Sequence, residues 1–485
     1  TMRGVRPPAV AGSFYPSSPL QLSQDVERYL QEGSNGSSCQ AVIAPHAGYM
    51  FSGRTAGYAF ARLSPEVSRV ILLGPSHFRS FSGGALPSPH LAAFATPLGE
   101  LPLDQAALAL LRENPLFAGP PQAHDPEHCL EVELPFIQKR AREAAIVPVL
   151  IGNQTSLQQT EEIAQALSPL LTADTAVVVS SDFTHHGRAY GYVVFPENED
   201  LDLHLKTRAE RTASRAIALD VRGFWHQVEV SDDSVCGAKP IAVLLQLLQH
   251  AFSGKGKLLH LSTSGEVSGD WHQVVTYVAA GFSGQWTAWR EDDAPKPAPL
   301  TPEEQKALLA LARATMETHL TRGEQLALWF ASHPLTPTML APQGAFVTLH
   351  TLPEKKLRGC IGLLQPAGSL VDTVIHAAVQ VLYDPRFPAV RLAELESLEV
   401  EISVLSPPQA VPSAEAIRLG EHGVILKKAG HSAVFLPQVA EETGWDLETF
   451  LSRLAQKAGL PPEAWRSAEL SVFTAQVFSE HTLTA

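Results

Sequence analysis

Along the first part of the chain the apolar residues gather in short unbroken runs. Ala41-Val42-Ile43-Ala44, Val70-Ile71-Leu72-Leu73 and Ala176-Val177-Val178-Val179 contain no polar position. Runs of this kind mark strands buried on both faces of a parallel sheet, whereas a half-exposed strand alternates. The pattern predicts strands over 41–45, 69–73, 146–151 and 175–180, and a later one over Val274–Ala280. Between them the period lengthens to that of helices, over Leu20 to Leu30, Leu103 to Arg112 and Gln158 to Leu170. Such alternation predicts a layered α/β domain with a largely parallel core.

The pattern breaks at Glu291-Asp292-Asp293-Ala294-Pro295-Lys296-Pro297-Ala298-Pro299-Leu300-Thr301-Pro302, where four prolines and few apolar residues favour an extended linker. This divides the chain into an α/β domain over 1–288, a proline-rich linker over 289–302 and a second domain over 303–485. The second domain opens with a helix: Thr301 suits the N-cap, Pro302 the first helical position, and Glu304 completes a capping box. Ala345–Leu349 and Val400–Leu405 read as strands, and Leu447–Ala458 as a helix started by Asp446 and stopped by Gly459. Strands and helices are less regularly mixed here, so this domain is expected to be α+β.

Composition narrows the functions. The net charge is −14, and both parts are acidic, with 21 Lys+Arg against 27 Asp+Glu up to and including residue 290 and 15 against 23 after it. Neither part offers a phosphate-neutralising surface, so nucleic acid is not an expected partner. Cys39, Cys129, Cys236 and Cys360 are widely spaced, which argues against a disulfide framework or a cysteine-ligated iron–sulfur cluster. No apolar run is long enough for a membrane span and no apolar signal core opens the chain, so a cytoplasmic protein without membrane contact is expected.

The chemistry collects where the predicted strands end. The first delivers His46 through Ala44-Pro45, the second His77 through Gly74-Pro75-Ser76, and the fourth Asp182 through Ser180-Ser181, with His185 and His186 beyond. Ligands of open α/β sheets bind outside the carboxyl ends of the strands, so residues distant in sequence can share one rim. A single histidine at such a place is more often structural, and Asp182 with two following histidines reads equally as an N-cap and two surface groups. Cys236 precedes Gly237-Ala238-Lys239-Pro240 and a helix over Ile241–His250, where helix-end N–H groups and Lys239 would favour a thiolate; the plain alternative is a small buried hydrophobe. Two imidazoles and a thiolate suit zinc, copper or iron and leave a coordination position open. In His124–Phe136, the groups Glu127, Glu131, His124 and His128 have the spacing to line one helix face, either as acid–base groups or as an ordinary charged surface. In the second domain Arg358-Gly359-Cys360 and Asp384-Pro385-Arg386 are candidates to hold a carboxylate or phosphate, with a turn salt bridge beside a buried cysteine as the favoured reading.

These stretches also carry a family resemblance. Residues from about 3 to 285 resemble the Memo family through Arg6–Pro16, Ala44–Tyr49, Gly74–His77, Glu127–Phe136, Ser180–His185 and Cys236-Gly237. Residues from about 303 to 480 resemble the AMMECR family through Leu357–Gly362, Asp384–Pro388, Glu401–Leu405 and Ala433–Val439. The resemblance implies a first domain folded like class III extradiol dioxygenases, metal ligation by His46, His77 and Cys236, and a pocket shared by Asp182 and His185. It also implies an association with iron or copper, and a three-part system whose remaining member is a radical-SAM protein. Dioxygenases of that fold use two histidines and a carboxylate; a thiolate third ligand favours copper or zinc and argues against ring cleavage.

Two functions are carried forward. The first is a metal-dependent oxidoreductase in which His46, His77 and Cys236 hold iron or copper, Asp182 and His185 position a proton or an oxygen species, Glu127 and His128 shape the pocket, and the AMMECR domain binds a substrate or partner. The second is a non-catalytic scaffold that recognises a peptide or small ligand, with a structural metal or none.

Overall fold

The computed structural model describes residues 4–231, 233–291, 295–366 and 368–482, folded as two compact units, Thr1–Ala294 and Pro295–Ala485. The centre of the first unit is an eight-stranded sheet. Its middle strands lie in the order Ala41–Ala44, Thr175–Ser180, Arg69–Pro75, Ala145–Ile151, all mutually parallel. The apolar runs explain their place: Val70 to Leu73 and Ala176 to Val179 have no exposed surface. Antiparallel strands close both edges, with Gly84–Ala85 beside 145–151 and the long pair Gln273–Trp286 and Phe252–Thr263 beside 41–44. The pattern placed 274–280 in a strand but did not foresee its partner Phe252–Thr263, whose Lys255, Gly256, Lys257 and His260 interrupt any regular period. Helix Ala238–Ala251 packs on the three strands 69–75, 145–151 and 175–180 and on helix Leu157–Leu167.

Strand order is what makes the site. His46, Asp182 and His77 leave the same end of three adjacent parallel strands, with the Asp182 strand between the two histidine strands. Adjacent strands stand about 4.8 Å apart, so these loops start within side-chain reach of one another.

One local expectation is corrected. The stretch 124–133 is not a helix face: Pro121–His124 and Glu131–Glu133 are single 3₁₀ turns, and helix begins only at Leu134. The backbone is instead held by long-range hydrogen bonds. Arg6 donates to the carbonyls of His124 (2.9 Å) and Glu127 (2.8 Å) and to Glu131 Oε2 (2.9 Å). Glu131 also accepts from the N–H groups of Ala9 (2.8 Å) and Val10 (3.0 Å) and from Tyr15 Oη (2.7 Å). Glu131 is therefore an anchor for the N-terminal arm, fully buried and fully used.

Residues 292–294 of the proline-rich stretch lie outside the described residues. On its near side Trp289 stacks on His250 at 4.6 Å, and on its far side Leu300 is buried in the core of the second unit. The second unit holds two four-stranded sheets. Helices Pro302–Thr321 and Leu370–Val381 pack on strands Ala345–Thr351, Leu357–Leu363 and Leu398–Leu405, an α+β arrangement. The capping box forms as the residue types dictate, Thr301 Oγ1 accepting from the Glu304 N–H at 3.2 Å and Glu304 Oε2 from the Thr301 N–H at 2.9 Å.

Candidate metal centre

The three histidines His46, His77 and His128 each bring one ring nitrogen within 4.8 Å of the others. His46 comes from the turn after the first central strand, His77 from the turn after the third, and His128 from the loop that Arg6 and Glu131 hold down. Gly74 permits that loop to lie across its strand, since a Cβ there would stand 2.8 Å from Cys129 Sγ and 2.6 Å from Leu130 Cδ2. The His77 and His128 rings stack at 4.7 Å, and Phe14 covers His128 at 4.7 Å.

His77, His46 and His185 are each held through Nδ1. His77 Nδ1 donates to Glu127 Oε1 at 2.8 Å, and the His77 backbone N–H donates to Glu127 Oε2 at 2.8 Å. The backbone N–H groups of His128 and Cys129 reach the same Oε1 at 3.1 Å each. Burial alone would raise the Glu127 carboxyl, but the His77 hydrogen bond and the surrounding N–H groups bring it down to about 2. Glu127 is thus a fixed anion that orients His77, with three donors on Oε1 and the His77 N–H on Oε2. His46 Nδ1 stands 2.9 Å from Ser180 Oγ, and its backbone N–H donates to Asp182 Oδ1 at 2.8 Å. His185 Nδ1 stands 2.9 Å from two carbonyl oxygens, those of Phe183 and Ser234. A carbonyl only accepts, so Nδ1 of His185 carries a proton. Burial, reinforced by neighbouring imidazoles, pushes His46 and His128 below the ordinary histidine range and keeps them neutral.

Cys236 Sγ lies 3.3 Å from His46 Nε2, and Asp182 Oδ2 lies 3.8 Å from the same nitrogen. Cys236 sits just before Gly237, the N-cap of helix Ala238–Ala251. The close approach requires that glycine, because a Cβ at 237 would fall 2.3 Å from Ser181 Cβ. The thiol is not activated as its helix-end position suggests. Burial and then the Asp182 carboxylate push it up, and Lys239 Nζ lies 3.9 Å over the Trp225 ring. Asp182 is itself raised by burial, partly offset by His185 and the His46 N–H. A cavity of about 250 Å³ opens beside His77 and Cys236, lined further by Ile151, Asn153, Val235 and Lys239.

The structure therefore brings His46, His77, His128, Glu127, Asp182 and Cys236 to one place and sets His185 within electrostatic reach of His46 and Asp182. Sequence reasoning missed Ser180, Ser234 and Glu133, which support this set from behind; the doublet Ser180-Ser181 before Asp182 was the only local signal. His186 is buried, stacked on Phe195 and accepting its N–H at 3.3 Å, apart from the cluster. The donor set fits a metal ion: His46 and His77 are each tied through Nδ1 to a polar group, as metal-ligating histidines require, and burial keeps His46 and His128 neutral.

In the second unit Cys360, Asp384 and Arg386 form one hydrogen-bonded set, and Arg358 is paired separately. Arg358 donates to Glu394 Oε1 (2.6 Å) and the Pro388 carbonyl (2.9 Å). Asp384 accepts from the Cys360 N–H (2.9 Å) and three times from Arg386, from its side chain at 2.8 and 3.1 Å and its backbone N–H at 3.1 Å, and the Thr348 hydroxyl donates to Cys360 Sγ at 3.2 Å. Arg386 holds the Asp384 carboxyl well below the usual range, and burial pushes the Cys360 thiol up.

Residues 6–281 match the Memo-like protein family and residues 309–478 match AMMECR1. A MEMO1 family protein of Thermococcus kodakarensis is 34% identical over 292 residues, 57% of this chain and 99% of its own. A MEMO1 family protein of Methanopyrus kandleri is 35% identical over 296 residues, 57% of this chain and 98% of its own. A second Methanopyrus kandleri protein is 40% identical over 191 residues, 37% of this chain and 90% of its own.

Proposed function

From the premise that the chain belongs to the Memo family and carries an AMMECR1 domain behind the Memo domain, we propose that it is a metal-dependent oxidoreductase whose centre lies at His46, His77 and Cys236. The observation that carries this is the pinning of His46 and His77 through Nδ1 beside a thiol 3.3 Å from His46 Nε2. His128 completes a third imidazole position at the same cluster. A bound iron or copper ion would supply one-electron chemistry and Lewis acidity; the thiol favours copper, and zinc also suits the donors.

This chain's own residues do the rest. Glu127 fixes the His77 ring and the loop bearing His128. Asp182 fixes the His46 backbone with one oxygen and turns the other toward His46 Nε2. His185, with its Nδ1 proton held between two carbonyls, offers Nε2 as a proton acceptor. The cavity beside His77 and Cys236 gives a small substrate its way in. The AMMECR1 domain would bind substrate or partner, and the family resemblance supports a radical-SAM protein as that partner.

The test is elemental analysis of protein purified anaerobically without added metal. Wild type is expected to hold stoichiometric iron or copper, with occupancy falling in Cys236→Ser and His46→Ala. Oxygen uptake by the metal-loaded protein should fall in His46→Ala and His185→Ala. Unchanged metal content in Cys236→Ser removes Cys236 from the site, and activity surviving both histidine changes overturns the enzymatic reading in favour of a scaffold.

A further inference from the structure

A second buried carboxyl lies behind His46, and the proposed chemistry makes no use of it. Glu133 is fully buried, and its Oε1 stands 2.9 Å from Ser180 Oγ. The same Oγ stands 2.7 Å from the Cys129 carbonyl oxygen and 2.9 Å from His46 Nδ1. A hydroxyl has one proton and two lone pairs. The Cys129 carbonyl can only accept, and two oxygens at that separation need a proton between them. The Ser180 proton is thereby committed to Cys129, and the other two neighbours must both donate to Oγ. His46 does so from Nδ1–H. Glu133 can do so only if Oε1 carries a proton.

The alternative fails on the same count. An ionised Glu133 would take the Ser180 proton and leave the Cys129 oxygen facing a lone pair. It would also bury a charge on Oε2, which has no hydrogen-bond partner among the described residues. An uncompensated buried carboxylate is far costlier than a neutral acid with one under-used carbonyl oxygen. The groups that bear on Glu133 are Asp182, Tyr49 and Cys129, none of them cationic. Burial, the largest influence, and the Asp182 charge push the carboxyl toward the neutral form and outweigh the opposing Ser180 contact.

We infer that Glu133 is a neutral carboxylic acid and the positioning residue for His46: its proton occupies the second lone pair of Ser180, which helps to hold the hydroxyl on the Cys129 carbonyl and so keeps His46 in the Nδ1–H tautomer with the Nε2 lone pair facing Cys236. Without that donor only the Cys129 carbonyl still holds the Ser180 proton, so a turn of the hydroxyl toward Nδ1, which moves the imidazole proton to Nε2 and closes the ligand position, costs less. Only the consequence for metal binding rests on the reading of the site as a metal centre; the protonation state does not.

Two measurements test it. Infrared difference spectra of metal-free wild type minus Glu133→Gln at neutral pH should show a carboxylic-acid C=O band from Glu133; an ionised-carboxylate signature in its place overturns the inference. In titrations with Co²⁺ alone, Glu133→Gln, whose amide N–H still donates to Ser180, should bind close to wild type, while Glu133→Leu should bind about 10–100-fold more weakly. Gln binding as weakly as Leu overturns the positioning role. A neutral-acid band together with no Co²⁺ uptake by wild type sustains the protonation of Glu133 and overturns the metal reading alone.

Discussion

The opposite expectation holds for Glu127→Gln, fewer than ten residues away. Glu127 Oε1 accepts three donors, His77 Nδ1–H and the N–H groups of His128 and Cys129, while Oε2 accepts the His77 N–H at 2.8 Å. A glutamine has one acceptor atom. Whichever way its amide turns, the NH₂ group meets an N–H at hydrogen-bond distance. The variant loses at least one hydrogen bond to a charged group, about 1.5–3 kcal/mol, and strands a buried donor. The carboxyl itself points to a similar size: a fall from 4.5 to about 2 corresponds to about 3 kcal/mol. The folded value is the lower one, so this stability is complete above pH 4.5 and disappears as the pH falls through about 2. Urea unfolding of metal-free protein across that range should show wild type losing the contribution on acidification. Glu127→Gln should start about 3 kcal/mol lower and lack that part of the acid slope. Because the His77 ring is then no longer held, Co²⁺ affinity should also drop about 10–100-fold. A Gln variant with wild-type stability at neutral pH and the wild-type acid slope would refute the assignment of Glu127 as an ionised, acceptor-only anchor.

Gly237→Ala should destabilise the first unit by about 1–3 kcal/mol in the same unfolding assay and lower metal content, because its methyl group displaces the Ser181 or Cys236 segment; a stable, fully loaded variant would show that the turn tolerates the contact. In the second unit Asp384 is held below the usual carboxylate range by Arg386, so its contribution is present above the unfolded value and lost as the pH falls below it. Asp384→Asn should cost about 1–3 kcal/mol at neutral pH and flatten that acid limb, measured by the thermal unfolding of wild type and variant from acid to neutral pH.

Much of the architecture was legible in local pattern. The unbroken runs at 41–44, 70–73 and 176–179 could be read as doubly buried parallel strands because burial on both faces removes every polar position. Thr301 with Glu304, and Asp446 with Gly459, marked helix ends because capping is local chemistry. The stretch 124–133 misled for a related reason: its spacing of acidic and histidine residues satisfies a helical face, yet Arg6 and Glu131, 125 positions apart, dictate a loop instead.

By itself the chain determined its strands, its helix caps and the residue types at each strand end, since these follow from side-chain period and backbone chemistry within a few positions. Tertiary structure alone decided that the Asp182 strand runs between the strands of His46 and His77, because strand order depends on pairings across more than a hundred residues that no local period encodes. It alone decided that Nδ1 carries a proton in His46, His77 and His185. The same holds for the contrast between Glu127 and Glu133: one carboxyl is ringed by donors, while the other faces a serine whose single proton is already committed.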